Sequence, residues 1–157
     1  MRPNSRLFLP AAAAAALVLD LAACSSTSSV VATGPALQTY SCCSSRDIDA
    51  IRHPGETMNL HWLATPLGPS ATSAVSTVRL GAGLSGPFES VSALKSANSP
   101  ATLTAPVIVT TNQVGDAPIS VIVIPKDAAA GYYNLTTTID QDGGQLTGGS
   151  VIKVSTK

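Results

Sequence analysis

Charge is scarce in this sequence. Charged residues make up 11% of the 157, under half the share of about 25% usual in globular proteins. Nine Lys and Arg balance nine Asp and Glu. A basic surface able to neutralise a row of phosphates is therefore excluded, and nucleic acid with it as a partner. Aromatics are also few, at 4% with a single Trp. Catalytic signatures are missing too: the sequence contains no GxSxG, HExxH, P-loop or GxGxxG motif, and its cysteines show no CxxC spacing. No enzyme activity is expected on this ground. No repeat and no helix-length amphipathic stretch follows the first two dozen residues. Apolar residues are present in quantity: 45% of the chain is hydrophobic, ample for a core, so an acidic disordered tail is excluded as well.

The apolar residues fall first at the amino end. Arg2 and Arg6 precede an apolar run from Leu7 to Leu19 that is thinned by Pro10, the plan of an export signal. The run is shorter than the ~20 residues of a membrane-spanning helix, and Asp20 at its end opposes a permanent span. Leu21-Ala22-Ala23-Cys24 resembles the lipobox of bacterial lipoproteins. The resemblance implies cleavage before Cys24, a diacylglyceryl group on its thiol and anchoring to a membrane; two or more acyl chains anchor durably where one does not. Ordinary secretion is the alternative. It fits worse, because cleavage after Ala23 or Ala22 would put Leu21 or Asp20 where a small residue is wanted. Residues 1–23 are thus read as a lipoprotein signal peptide. Removing Arg2, Arg6 and Asp20 leaves seven basic against eight acidic residues, a net charge of −1. Residues 24–40, in which SSTSSVVATGP follows Cys24, are read as a Ser/Thr-rich tether.

Residues 41–157 read as one all-β domain, with the strand-and-turn pattern setting in at about Leu37. Thr57–Ala64 alternates, with Met58, Leu60, Trp62 and Ala64 on one face and Asn59 and His61 on the other. Val75–Ala82 follows, ended by Gly81 and Gly83, then Glu89–Leu94 as a weaker strand, then Leu103–Thr111 broken by Pro106. Ile119–Ile124 is a continuous apolar run between Pro118 and Pro125, read as a central strand. Tyr132–Ile139 alternates again, and Val151–Thr156 closes the chain with Ile152 and Val154 inward. About seven strands at regular spacing predict an antiparallel β-sandwich. The stretch from Pro125 to Leu135 resembles the corner between the fifth and sixth strands of immunoglobulin-like and fibronectin type III domains, with Tyr133 as the corner tyrosine two residues before core Leu135. GETMNLHWLATP resembles the second strand of fibronectin type III domains, with Trp62 as its core tryptophan. The resemblance implies an immunoglobulin-like fold with Trp62, Tyr133 and Leu135 in the core. Unlike antibody domains, the sequence offers no cysteine pair to bridge the sheets.

The chemistry-bearing residues are few. With Cys24 lipidated, Cys42 and Cys43 remain in an oxidising compartment. A vicinal disulfide, an intermolecular pair or a soft-metal site are the three readings, with the disulfide preferred. Cys42 and Cys43 with His53, Met58 and His61 could together form a small metal or redox site, although their spacing matches no known ligand pattern and surface roles suit both histidines. Arg46-Asp47-Ile48-Asp49 reads as a solvated turn. Asn134-Leu135-Thr136 is a glycosylation sequon whose Asn134 points outward when Leu135 points inward. The expectation is a lipid-anchored, extracytoplasmic immunoglobulin-like module with a binding or structural role at the cell envelope. It needs no cofactor, and its partner is a protein, glycan or lipid of that envelope. The alternative is the metal-binding or redox protein.

Overall fold

Alternation in Thr57–Pro66 (β2) places Met58, Leu60 and Trp62 under the sheet and leaves Thr57, Asn59 and His61 outside. This strand organises the first of two antiparallel sheets in the computed structural model, which describes residues 35–68, 74–115 and 117–156. Gln38–Cys42 (β1) pairs with one side of β2, and Ile119–Val123 (β6) with the other. The second sheet is built on Thr77–Phe88 (β3). Gly131–Gln141 (β7) pairs with one side of β3, followed by Gly144–Val154 (β8). On the other side of β3 lie Leu103–Thr104 (β4) and Ile108–Thr111 (β5). The chain therefore crosses between sheets after β2, after β5 and again after β6, the Greek-key course of an immunoglobulin-like β-sandwich.

Two buried clusters join the sheets. The larger unites Met58 and Leu60 of β2, Ile122 of β6, Leu84 of β3, Leu135 and Tyr133 of β7, and Ile152 and Val154 of β8. The smaller sets Tyr40 and Trp62 of the first sheet against Val78 and Leu80 of the second. The Trp62 indole N–H donates to Ser120 Oγ at 2.9 Å, so its one polar atom is satisfied inside the core. Tyr133 donates its hydroxyl to the Ala129 carbonyl at 2.8 Å. This bond ties the start of β7 to the loop before it, a link worth about 0.5–1.5 kcal/mol. Burial raises the Tyr133 hydroxyl above its ordinary pKa, which keeps it protonated as a donor.

The expected count of about seven strands holds, with eight among the described residues. Several other sequence expectations are corrected. The first strand, β1, starts at Gln38 inside the stretch read as tether, because Leu37, Gln38 and Tyr40 are all buried. Gly81 and Gly83 do not end β3, which runs on to Phe88. A Cβ on Gly83 would lie 2.7 Å from the Ala101 Cβ, so that glycine marks a close approach rather than a stop. Glu89–Leu94 is no strand. Val91–Ser96 forms a short helix (α2), begun by Ser90, whose Oγ accepts the Ala93 N–H at 3.0 Å, and held down by buried Leu94. Ala64 is exposed, past the end of the buried alternation. Finally, β6 is not a central strand: it forms an edge of the three-stranded sheet and is buried on one face only. The leader, Cys24 and the tether as far as Gly34 lie outside the described residues.

Candidate functional site

The fold does not turn the five residues of the metal reading into a ligand set, although Cys43 and Met58 share one core cluster. Cys42 and Cys43 are joined to each other in a disulfide at the end of β1, which removes both thiolates as ligands. Met58 is wholly buried in the core. His53 and His61 are engaged separately, and no cluster of three or more His, Cys, Asp or Glu able to hold a metal occurs among the described residues.

His61 leads to a correction of the solvated turn. Ser45–Asp49 is a short helix (α1), and Asp47 within it is buried. The strand β1 stops at Cys42, opposite Trp62, so His61 has no strand neighbour on that side. Asp47 takes its place: Oδ2 accepts the His61 backbone N–H at 2.7 Å, and both carboxylate oxygens lie 3.1 Å from His61 Nδ1. The Ser44 N–H takes the His61 carbonyl at 3.2 Å. Thus α1 caps a strand edge, and Asp47 has a structural task.

A cleft of about 690 Å³ opens beside this helix, lined by Ile51, His53, Pro54, Gly55, Glu56, Lys126 and Thr156. Two of its polar side chains, Glu56 and His53, are engaged. Glu56 accepts from Arg52 Nη1 at 3.0 Å and from the His53 N–H at 2.8 Å. His53 Nδ1 lies 2.7 Å from the Ser155 carbonyl, which can only accept, so that nitrogen carries the proton. Burial acts to raise the Glu56 carboxyl, but the Arg52 and His53 hydrogen bonds and the positive charge nearby outweigh it and hold the group below its ordinary pKa. Glu56 therefore binds its proton more weakly folded than unfolded. Its contribution to stability is complete above the unfolded value and fades as pH falls through the lowered one. Urea midpoints compared at pH 7 and pH 3 should fall further for the wild type than for Glu56→Gln. Equal falls would remove this role.

The outer face of the three-stranded sheet is different in kind. On β6 Ile119, Val121 and Val123 are 46%, 41% and 62% exposed, and Leu63 on β2 is 47% exposed. Asn59 and His61, also exposed, sit beside Val121 and Ile119 in the pairing register. Three β-branched side chains in a row, with a polar border, form one continuous apolar row rather than scattered exposure. The strand's backbone adds to this. The Trp62 N–H bonds to the Pro118 carbonyl, and the Ile124 N–H to the Glu56 carbonyl. In an antiparallel ladder the bonded pairs alternate, so residues 118, 120, 122 and 124 turn their polar groups toward β2. Ile119, Val121 and Val123 turn theirs away, to an edge that no backbone group among the described residues meets.

Asn134 lies half-buried on the outer side of β7, between Ser85 of β3 and Val151 of β8, and its amide donates to Thr136 Oγ1 at 3.3 Å. Sequence reasoning missed the outer face because Ile119–Ile124 is apolar on both faces but for one residue. The one polar residue in it, Ser120, points inward to the Trp62 indole. Asp47 was missed because its partner lies 14 residues away.

No family model matches this chain, and no curated protein matches it. Among solved structures it is similar to a cohesin module of a family 33 glycoside hydrolase from Clostridium perfringens ATCC13124, with a TM-score of 0.37 and 10% identity over 78% of this chain and 99% of that one. The fold itself defines the class: an all-β, immunoglobulin-like antiparallel sandwich.

Proposed function

We propose that this protein is a lipid-anchored binding module on the extracytoplasmic side of a membrane and that it works by contact rather than catalysis. The observation that carries the binding role is the exposed row Ile119, Val121 and Val123 on an open strand edge. Apolar side chains and unpaired backbone groups together suit another polypeptide better than a glycan, which presents hydroxyls and no strand. The anchor rests on Leu21-Ala22-Ala23-Cys24 after a charged and then apolar leader. In this reading the stretch between Cys24 and β1 connects the lipid to the sandwich.

Fractionation of cells tests the anchor. The wild-type chain should travel with membranes and be released by detergent, not by salt. Cys24→Ala should persist as an unprocessed, unlipidated precursor. Normal processing and membrane retention of Cys24→Ala would refute the lipid attachment.

A further inference from the structure

Sheet edges are hazards that folded proteins blunt, and among the described residues this sandwich blunts several of its own. The β1 edge is met by the segment after β5, through the Gln38 N–H to the Asn112 carbonyl and the Val114 N–H to the Ala36 carbonyl. The β4–β5 edge is broken at Pro106, which has no N–H. Arg52 meets β8 at its carboxyl end, donating its N–H to the Lys153 carbonyl and accepting from the Ser155 N–H. The rest of β8 carries Gly144, Gly148 and Gly149, poor residues for a new pairing. Among the described residues, β6 presents an edge of β-branched side chains with no charge along its length, and no backbone group meets Ile119, Val121 or Val123 there.

We infer that β6 is a self-pairing edge: two copies of this chain join β6 to β6, antiparallel, about a two-fold axis at Val121. The strand is suited to its own reverse. With Val121 opposite Val121 of the second copy, Ile119 falls opposite Val123, and Val123 opposite Ile119. The three N–H and three C=O groups that each copy turns outward then meet the matching groups of the other. All six are satisfied at once in bonded pairs. The β-branched side chains meet as cross-strand pairs on one outer face. The interface is isologous, so it closes at two copies and does not propagate. Pro118 and Pro125 fence the strand and limit the pairing to its length. No charge along the strand opposes it, because β6 carries no charged residue. This inference rests on the outer β2–β6 face being a contact surface; it is independent of the lipid.

Sedimentation equilibrium of the full-length chain in density-matched detergent tests it, beside Val121→Lys and Leu146→Lys. Val121 is outward-facing, so lysine there leaves the core untouched while setting two like charges face to face at the axis. Leu146, 69% exposed on β8, controls for the mere loss of an apolar side chain. The wild type should show a concentration-dependent monomer–dimer equilibrium, weakened at least about tenfold by Val121→Lys and unchanged by Leu146→Lys. All three should melt at nearly the same temperature. Amide exchange of Ile119, Val121 and Val123 should slow as concentration rises. A wild type that stays monomeric overturns the inference and leaves the edge to a foreign strand. A dimer indifferent to Val121→Lys, or equally weakened by Leu146→Lys, also overturns it. A dimer that is not membrane-held would fail the anchor alone, and a membrane-held monomer the self-pairing alone.

Discussion

Trp62→Ala is expected to lower the unfolding free energy by about 3–5 kcal/mol, the usual cost of emptying a buried aromatic site. Trp62 is 2% exposed and fills the junction of Tyr40, Val78 and Leu80 between the sheets. Its loss leaves a cavity there and also strands the hydroxyl of Ser120, which is 1% exposed and whose donor is the indole. Typical domains have only about 5–15 kcal/mol to lose, so the variant should be marginal at room temperature. Urea unfolding followed by far-ultraviolet circular dichroism gives the number, since the sole fluorescent Trp is removed. A loss below about 1 kcal/mol would place Trp62 outside the core. Trp62→Phe should fall between, retaining most of the apolar contact but not the bond to Ser120.

Gly86→Ala should cost about 2–5 kcal/mol, by a different cause. Gly86 has φ +144°, a backbone conformation that side chains other than glycine's rarely permit. A Cβ added there would lie 2.9 Å from the Tyr132 carbonyl oxygen and 2.9 Å from Tyr133 Cδ1. The pairing of β3 with β7 shifts register between Ser85 and Phe88, at this residue. Backbone strain and overlap therefore add at the point where the longest strand bends past the corner tyrosine. Gly68, with no described residue within 4 Å of an added Cβ, provides the contrast: Gly68→Ala should be near neutral. Equal stability of the two variants would contradict the account of the bend.

How much of this was legible depends on where each residue finds its partner. In β2, Met58, Leu60 and Trp62 alternate with polar neighbours, so period two announced a half-buried strand. The corner around Tyr133 was legible because its bond runs only four residues back, to Ala129. The β6 strand was misplaced because polarity and burial run opposite ways there: Ser120 is inside and Val121 outside, and no pattern of hydrophobicity can reveal that. α2 is too short for a helical period to emerge from six residues, and only the Ser90 cap betrays it. In β3 the glycines that usually mark a strand's end instead let Ala101 and Thr138 come close. The surface fared worse than the core. The open edge follows from which strands flank β6, and Asp47 from the early stop of β1 beside β2. Both are consequences of topology, which the local sequence does not carry.

The anchored-module account meets its most direct test in mass spectrometry of the amino-terminal peptide of the native, membrane-extracted protein. The account predicts a peptide beginning at Cys24 whose mass exceeds that of the bare residues by a diacylglyceryl group. A peptide still carrying residues 1–23, or Cys24 with a free thiol, would contradict it.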